Sequence, residues 1–157
     1  MEERVLKSTI RVVQMEELST TEQELVKSAI AATDHSYAVY SHFRVGAAVL
    51  LKNRETIIGC NQENISYPAG ICAERAAIYA AGAKYPDVPV KMIAIAARNV
   101  KGDLQEEPIS PCGICRQVMV EVETRFHCPI HIILYGTKEI YVIEGIQTLM
   151  PLSFTAF

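Results

Sequence analysis

The sequence predicts an α/β fold, a three-layer α-β-α sandwich around a central mixed sheet of about five strands. Two observations predict it, the length of the chain and the order of its helical and extended segments. The chain has 157 residues, of which 50% are apolar and 21% charged, as expected for one compact globular domain. Glycine and proline are scattered as turn residues, and no repeat divides the sequence. We therefore assign residues 1–157 to a single domain, with residues 1–19 as an N-terminal arm or extra strand.

The first elements are a helix and a hairpin. Ser8–Met15 is either a strand or a flexible arm. A capping-box pattern at Thr20–Glu24 begins a helix that ends near Ala32. The strands Phe43–Leu51 and Thr56–Asn61 follow, joined by a polar turn, which is typical of a hairpin.

Two further helices alternate with strands in the rest of the chain. Cys72–Ala83 is rich in alanine and predicts a helix, whereas the apolar run Met92–Ala97 predicts a strand covered on both faces. A third helix is expected to continue to about Glu123, with Ser110 as its N-cap and Pro111 in its first position. The remaining segments are two strands and a short terminal helix, Ile130–Tyr135, Glu139–Ile143 and Gly145–Leu149.

Charge and hydropathy argue against two classes of partner. The formal net charge is -3, so there is no basic surplus to form a surface that follows nucleic-acid phosphates. Apolar runs such as Val45–Leu51 are far shorter than the ~20 residues that span a bilayer. The first ten residues mix acidic and basic side chains, unlike a secretory signal. We expect no nucleic-acid partner, no membrane association and a cytoplasmic location.

Three of the five cysteines are placed to bind one metal ion. Cys112 and Cys115 are three positions apart at a predicted helix start, so both thiols can face one side of the first turn. Cys72 supplies a third thiol at another predicted helix start, where exposed amides favour the thiolate form. Three thiolates leave the fourth tetrahedral position of Zn²⁺ open, which distinguishes catalytic from structural zinc sites. The sequence therefore predicts a catalytic zinc site.

Two charged residues next to Cys72 have predicted roles in this site. Glu74 is placed to act as a general acid and base that carries protons between water and substrate. Three thiolates on a dication leave a net negative charge, and the Arg75 guanidinium would offset it by donating to the sulfurs. An exposed arginine on a helix surface is the simpler alternative for Arg75.

At these residues the chain resembles the cytidine deaminase family, in its small three-cysteine form. Three cysteine ligands, a glutamate and a Pro-Cys-x-x-Cys segment form the general signature of zinc deaminases. The resemblance covers roughly residues 40–154, and four segments carry it in the family's order, Ser41–Ala48, Asn61–Asn64, Cys72–Arg75 and Ser110–Gln117. It implies hydrolytic deamination of cytidine and deoxycytidine in pyrimidine salvage, with Zn²⁺ and no organic cofactor.

The resemblance also implies the substrate contacts. Asn61 and Glu63 would bind the sugar hydroxyls, and two positions at the end of a strand share one face, as this role requires. The Ala73 backbone and Glu74 would bind the base, and Phe43 would line the base pocket. Without the resemblance, each of these residues would be assigned to a turn, a surface or the core.

The same resemblance implies a homotetramer with shared active sites. Phe154 matches a phenylalanine that stacks on the base from a neighbouring subunit, and Tyr67 matches a residue near subunit boundaries. The sequence departs from the family at both ends and at Val39, where a proline is common. An arm of about twenty residues is added at the N-terminus, and the chain ends three residues after Phe154. None of these departures involves the predicted metal ligands.

The remaining cysteines and histidines are predicted to be structural. Cys60 and Cys128 lack a partner at ligand spacing and are expected to be small buried side chains. Three thiols and a water already complete a tetrahedral shell, so no histidine ligand is required. The four histidines are His35, His42, His127 and His131.

Three other functions compete with nucleoside deamination. A deaminase for an aminonucleoside antibiotic such as blasticidin S could keep the same thiols, although Asn61 and Glu63 favour a plain nucleoside. An enzyme that edits RNA or DNA would need a basic groove. A purely structural zinc clip would need a fourth ligand, for which Cys60 and Cys128 lack the paired spacing.

Overall fold

The computed structural model describes residues 1–155, in which three α-helices pack against one mixed sheet of six strands. The strands are β1 (Arg11–Val13), β2 (Arg44–Leu51), β3 (Thr56–Cys60), β4 (Val90–Arg98), β5 (His131–Tyr135) and β6 (Ile140–Glu144). The helices are α1 (Thr20–Ala32), α2 (Ala73–Lys84) and α3 (Gly113–Phe126). The strand order is β1-β6-β5-β4-β2-β3, with β4 and β5 parallel and the other neighbours antiparallel.

The three predicted layers are present, and β4 divides them. Its side chains alternate between the two faces of the sheet, as the period of a strand requires. Ile93 and Ile95 join the apolar cluster under α2 and α3, whereas Ala94 and Ala96 join the cluster under α1. The predicted α/β class and the strand covered on both faces are therefore confirmed.

The predicted number of strands was too low by one, because the N-terminal arm contributes β1. Arg11 pairs with Val142 and Val13 with Ile140, which adds an edge strand beyond β6. Three residues with one half-buried side chain are too few for a recognisable alternation, so the sequence left a strand and an arm equally open. Val13 packs against the α1 cluster and anchors this edge.

Two helix starts differ from the sequence prediction. The α1 N-cap is Ser19, whose hydroxyl accepts a hydrogen bond from the Glu22 amide, so the capping box begins one residue earlier than predicted. The α3 N-cap is Cys112 and not Ser110. The Ser110 hydroxyl instead accepts a hydrogen bond from Arg116 Nη2 at 3.0 Å, a contact that local helix-start patterns do not encode.

The other element boundaries agree with the prediction to within a few residues. α1 ends at Ala32, and the predicted short terminal helix is a 3-10 turn at Ile146–Thr148. Within residues 1–155, no helix has both the length and the apolar character needed to cross a membrane.

Candidate metal centre and substrate cavity

Two of the three predicted metal ligands are N-cap residues. Cys72 begins α2 and Cys112 begins α3, both with extended backbone conformations. Neither thiol makes the side-chain hydrogen bond of a capping residue, so both remain available for another role. Cys115 lies one turn into α3 and is buried. The positive ends of two helix dipoles therefore meet at the thiols.

Gly59 on β3 brings the first of these helix ends close to the sheet. A Cβ placed on Gly59 would lie 2.4 Å from the Ala77 amide nitrogen and 2.6 Å from the Ala73 carbonyl oxygen of α2. Only a residue without a side chain allows this approach. The close contact between β3 and α2 sets the position of Cys72 relative to the strand.

The three sulfurs converge on one point, as the sequence predicted. Cys72 Sγ lies 4.0 Å from Cys112 Sγ, and Cys112 Sγ lies 3.5 Å from Cys115 Sγ. All three sulfurs lie within 4.8 Å of one another. Tetrahedral zinc with bonds of ~2.3 Å separates its sulfur ligands by ~3.8 Å, and the two separations at Cys112 lie near this value, so the donor set fits Zn²⁺. Among residues 1–155 this is the only such group of three cysteine, histidine or acidic ligands.

The thiols perturb one another's ionisation. A hydrogen bond from Cys115, together with the nearby Arg75, lowers the pKa of Cys72 to about 5 despite its partial burial. The same hydrogen bond, together with burial, raises the pKa of Cys115. The lowered pKa favours the thiolate form of Cys72, which is the form that binds a metal.

Arg75 lies beside this thiolate. Its Nη2 is 3.9 Å from Cys72 Sγ, within the range of a hydrogen bond to sulfur. Its Nε is buried and has no hydrogen-bond partner in the described part of the chain. The guanidinium is thus directed towards the sulfurs, where its charge opposes that of the thiolates.

Glu74 is the buried acid of the site. The residue is only 4% exposed, and it follows Cys72 by two positions in the first turn of α2. Burial, with a smaller contribution from the charge on Cys72, raises the pKa of this carboxyl group. A carboxyl group that ionises closer to neutral pH can both accept and donate a proton there.

The three-thiol group borders a cavity of about 620 Å³ through Cys72 and Cys112. This volume lies in the range of small-molecule sites. Eight residues predicted from the sequence to belong to the site line the cavity: Asn61, Glu63, Tyr67, Cys72, Ala73, Glu74, Arg75 and Cys112. The structure therefore brings together segments that are far apart in the sequence.

Asn61 holds the strand that borders the cavity. Its Nδ2 donates to the Phe43 carbonyl at 2.9 Å, and its Oδ1 accepts from the Val45 amide at 2.8 Å. One N–H and one lone pair of the amide group remain for another partner. Asn61 is thus both a structural link and a polar group on the cavity wall.

Glu63 collects three hydrogen-bond donors from one short segment. Its carboxylate accepts from the Tyr40 amide at 2.8 Å, from the Ser41 amide at 3.2 Å and from the Ser41 hydroxyl. These bonds, that of the Ser41 hydroxyl first, hold the pKa of Glu63 below its usual range. The carboxylate stays charged at the cavity wall, where it can accept from a ligand hydroxyl.

Of the three aromatic residues predicted to belong to the site, only Tyr67 lines the cavity within residues 1–155. Tyr67 lines the cavity and is 80% exposed. Phe43 is half-buried, and its ring is not among the cavity-lining side chains of residues 1–155. Phe154 is 65% exposed and lies in the C-terminal segment, at a separate surface depression. Within one chain, Phe154 is therefore not part of the cavity.

Some cavity residues had no role in the site predicted from the sequence. They include Tyr40, Gln62, Asn64, Ile71, Ile109 and Ser110. Gln62 joins two segments through backbone hydrogen bonds with Ile71 in both directions, each at 2.9 Å. Gln62, Asn64 and Ile71 directly flank the predicted site residues Glu63 and Cys72, so proximity in sequence was the available signal for these three.

The other cysteines and histidines do not belong to the three-thiol group. Cys60 and Cys128 are half-buried rather than fully buried as predicted, because Cys60 ends β3 and Cys128 lies in the connection between α3 and β5, outside the core. His131 contacts two carboxylates, with Nε2 2.6 Å from Glu22 and Nδ1 2.5 Å from Glu144. This bridge joins α1 to the sheet, in agreement with a structural role.

Comparison with known proteins relates this fold and cavity to one family. Residues 19–130 match the family described as cytidine and deoxycytidylate deaminase zinc-binding region. A cytidine deaminase of Halalkalibacterium halodurans is 41% identical over 140 residues, which span 85% of this chain and 94% of that protein. A cytidine deaminase of Sporosarcina psychrophila is 38% identical over 99 residues, 63% of this chain and 68% of that protein.

Solved structures give the same result for the fold. The crystal structure of cytidine deaminase from Burkholderia pseudomallei superposes with a TM-score of 0.72 at 34% identity, covering 83% of this chain and 97% of that chain. Cytidine deaminase from Mycobacterium tuberculosis superposes with a TM-score of 0.64 at 29% identity, covering 87% and 98%. Sequence, fold and the three-thiol group agree, and the chain belongs to the cytidine and deoxycytidylate deaminase family.

Proposed function

We propose that this protein is a hydrolase that deaminates cytidine and deoxycytidine to uridine and deoxyuridine with a bound zinc ion, in pyrimidine salvage. One observation carries the proposal: three converging sulfurs and one buried carboxyl group meet at the base of a cavity of nucleoside size. The similarity to proteins named cytidine deaminase supports the same conclusion.

Cys72, Cys112 and Cys115 would hold the zinc ion. When bound, the ion supplies the Lewis acidity that makes a water molecule nucleophilic at neutral pH. Arg75 would reduce the negative charge of the three thiolates through its contact with Cys72. The purely structural clip is not favoured, because neither Cys60 nor Cys128 joins the three thiols as a fourth ligand.

Glu74 would move the protons of the reaction. It would take one proton from the attacking water and deliver it to N3 of the ring, and it would then take the second proton from the new C4 hydroxyl, as the carbonyl forms, and deliver it to the departing amine. A carbon–oxygen bond forms at C4 of the pyrimidine, the bond from C4 to the exocyclic nitrogen breaks, and ammonia leaves. The raised pKa of Glu74, caused first by burial, suits a group that alternates between the two protonation states.

The cavity wall would position the nucleoside. The charged Glu63 and the remaining hydrogen-bonding capacity of Asn61 suit the adjacent hydroxyls of a sugar. The Ala73 backbone lies next to Glu74 and would bind the base with it, while Phe43, which directly precedes β2 and whose carbonyl accepts from Asn61, would support the base pocket. This sugar-binding pair favours a plain nucleoside over blasticidin S.

The active sites would be shared in a homotetramer. Phe154 lies outside the cavity of its own chain, which supports a role at the cavity of a neighbouring subunit. The largely exposed ring of Tyr67 at the cavity mouth would lie at the same boundary. We further propose a cytoplasmic location, with no nucleic-acid or membrane partner, in keeping with the acidic net charge.

A substrate panel tests the proposal. Ammonia release is measured for cytidine, deoxycytidine, blasticidin S and cytosine within an oligonucleotide, with zinc per chain determined in the same preparation and mass by light scattering. We expect turnover of the two free nucleosides, about one zinc per chain and a tetrameric mass. Activity confined to blasticidin S or to the oligonucleotide would assign the site to another substrate class.

A further inference from the structure

Arg116 connects three parts of the chain at the start of α3. Its Nε donates to the Pro111 carbonyl at 2.8 Å, and its Nη2 donates to the Ser110 hydroxyl at 3.0 Å. Its Nη1 donates to the Leu149 carbonyl at 2.8 Å, thirty-three positions away in sequence. One guanidinium therefore holds both the segment that enters α3 and the segment that ends the chain.

The next residue strengthens the attachment of the C-terminal segment, defined here as residues 149–155. Gln117 Nε2 donates to the Phe154 carbonyl at 2.8 Å. Leu149 and Met150 also pack against the apolar cluster beneath α2 and α3. The C-terminal segment is thus fixed to the first turns of α3 by two adjacent side chains and by apolar contacts.

The same turn of α3 carries two of the three thiols. Pro111, whose carbonyl Arg116 binds, directly precedes the N-cap residue Cys112, and Cys115 directly precedes Arg116. Metal–ligand distances tolerate only ~0.2 Å of error, so the path of the chain into Cys112 must be held closely. Cys112 itself is exposed, and local burial does little to fix its sulfur.

We propose that Arg116 is a positioning residue that holds the Cys112 thiol and the C-terminal segment as one unit, so that metal retention and the order of this segment depend on each other. The role of Arg116 rests on the proposed function in one respect, which is that the ion bound by the three thiols is zinc. This role belongs to a side chain that contacts neither the metal ligands' sulfurs nor the cavity.

Each of the three guanidinium nitrogens of Arg116 donates to a different acceptor, which explains why arginine is needed. A planar guanidinium presents donors in several fixed directions, whereas a lysine ammonium is a single point of charge. Arg116→Lys keeps the positive charge near the thiolates but cannot reach all three acceptors. This variant therefore separates a geometric role from a purely electrostatic one.

The experiment compares Arg116→Lys and Arg116→Met with Arg125→Met. Arg125 is a matched control, because it lies in the last turn of α3 and donates to a backbone carbonyl, that of Pro86, at 2.6 Å. Each zinc-loaded protein is mixed with a chromophoric chelator to follow zinc loss, and digested with a carboxypeptidase to follow removal of the C-terminal segment. Circular dichroism reports whether each variant is folded.

We expect both Arg116 variants to bind zinc about 10- to 100-fold more weakly than wild type, the usual cost of losing a residue that orients a metal ligand. Carboxypeptidase should remove their C-terminal segments faster, and the Arg125 variant should match wild type in both assays. Excess zinc should slow the digestion of Arg116→Lys, because zinc binding at the thiols and the order of the C-terminal segment are coupled.

Three results would overturn the proposal. They are wild-type zinc retention in Arg116→Lys, faster digestion without weaker zinc binding, and weaker zinc binding without faster digestion. Should Arg116→Met fail to fold, Gln117→Ala replaces it, for which we expect the same paired changes at smaller size. Neither the zinc-loss assay nor the digestion assay requires deamination. An inactive wild-type protein would therefore refute the proposed function, whereas the role of Arg116 would still be decided by these two assays.

Discussion

Glu63 accepts a hydrogen bond from the Ser41 hydroxyl across twenty-two positions of sequence. The same carboxylate binds the Tyr40 amide, so a charged acceptor is held at the cavity wall by a segment that itself lines the cavity. The cavity wall is therefore preorganised through Glu63, and a hydroxyl group of a ligand bound there would meet an acceptor whose orientation is already fixed.

Glu63→Gln is expected to weaken nucleoside binding. The substitution removes the charge and can turn an amide donor towards the amides of Tyr40 and Ser41, which are donors themselves. We expect KM to rise about 10-fold or more, the usual effect of losing a charged hydrogen bond, with a smaller change in kcat. Steady-state kinetics on cytidine measure this. Glu121→Gln on the exposed side of α3 is the control, and equal KM values for the two variants would contradict a role for Glu63 in binding.

Glu74→Gln is expected to abolish turnover while leaving the zinc site intact. The amide fits the same buried position but can no longer take up or release a proton. We expect kcat to fall by about 100-fold or more, with zinc per chain and thermal stability near wild type. Paired measurements of ammonia release and metal content test this. Near-normal turnover in the variant would remove the proton-transfer role from Glu74.

Glu22 is expected to stabilise the fold at neutral pH and to lose this effect in acid. Burial opposes ionisation of this carboxyl group, but hydrogen bonds from Ser19 and His131 outweigh it, so the pKa lies below the usual 4.5. A depressed pKa contributes stability that is present above pH 4.5 and is lost as the pH falls through the lower, folded value.

The comparison is between wild type and Glu22→Gln. At pH 7 the variant should be less stable by about 1–2 kcal/mol, since an amide replaces the charged acceptor of the hydrogen bonds from the Ser19 amide and from His131. Urea unfolding from pH 7 to pH 3 should show this difference shrinking below pH 4.5. A difference that stays constant over this range would contradict the assignment.

Gly46 and Gly82 should respond in opposite directions to alanine. A Cβ on Gly46 would lie 2.1 Å from the Ala29 carbonyl oxygen of α1, whereas none of the described atoms lies within 4 Å of one on Gly82. We expect Gly46→Ala to destabilise the protein by several kcal/mol, because two backbones must separate, in the way that overpacking does. Gly82→Ala should stabilise α2 by up to about 1 kcal/mol. Thermal unfolding of both variants measures the contrast, and equal effects would argue against close contact of α1 and β2.

The parts predicted well from sequence were those fixed by local chemistry. The apolar run of β4 and the alanine-rich α2 identify themselves by composition, and the cysteine spacing of α3 places two thiols on one turn. The proximity of Cys72 to Cys112 was predicted because a single zinc ion needs several thiolate ligands around it. The fold achieves it by setting two helix N-termini side by side.

The parts missed depend on contacts between distant residues. Ser110 looked like an N-cap, but its hydroxyl binds Arg116, and the helix begins at Cys112 instead. The two hydrogen bonds of the Asn61 side chain to the backbone at Phe43 and Val45 depend on the position of β2, which no pattern around residue 61 reports. The edge strand at Arg11–Val13 is too short to be distinguished from an arm by its own residues.

The central claim is that Cys72, Cys112 and Cys115 together hold one zinc ion with its fourth position open. X-ray absorption at the zinc edge, on protein purified without added metal, measures this directly. We predict three sulfur ligands at ~2.3 Å and one oxygen or nitrogen ligand at ~2.0 Å, with one sulfur lost in Cys115→Ser. Four sulfur ligands in the wild type, or none, would contradict the account.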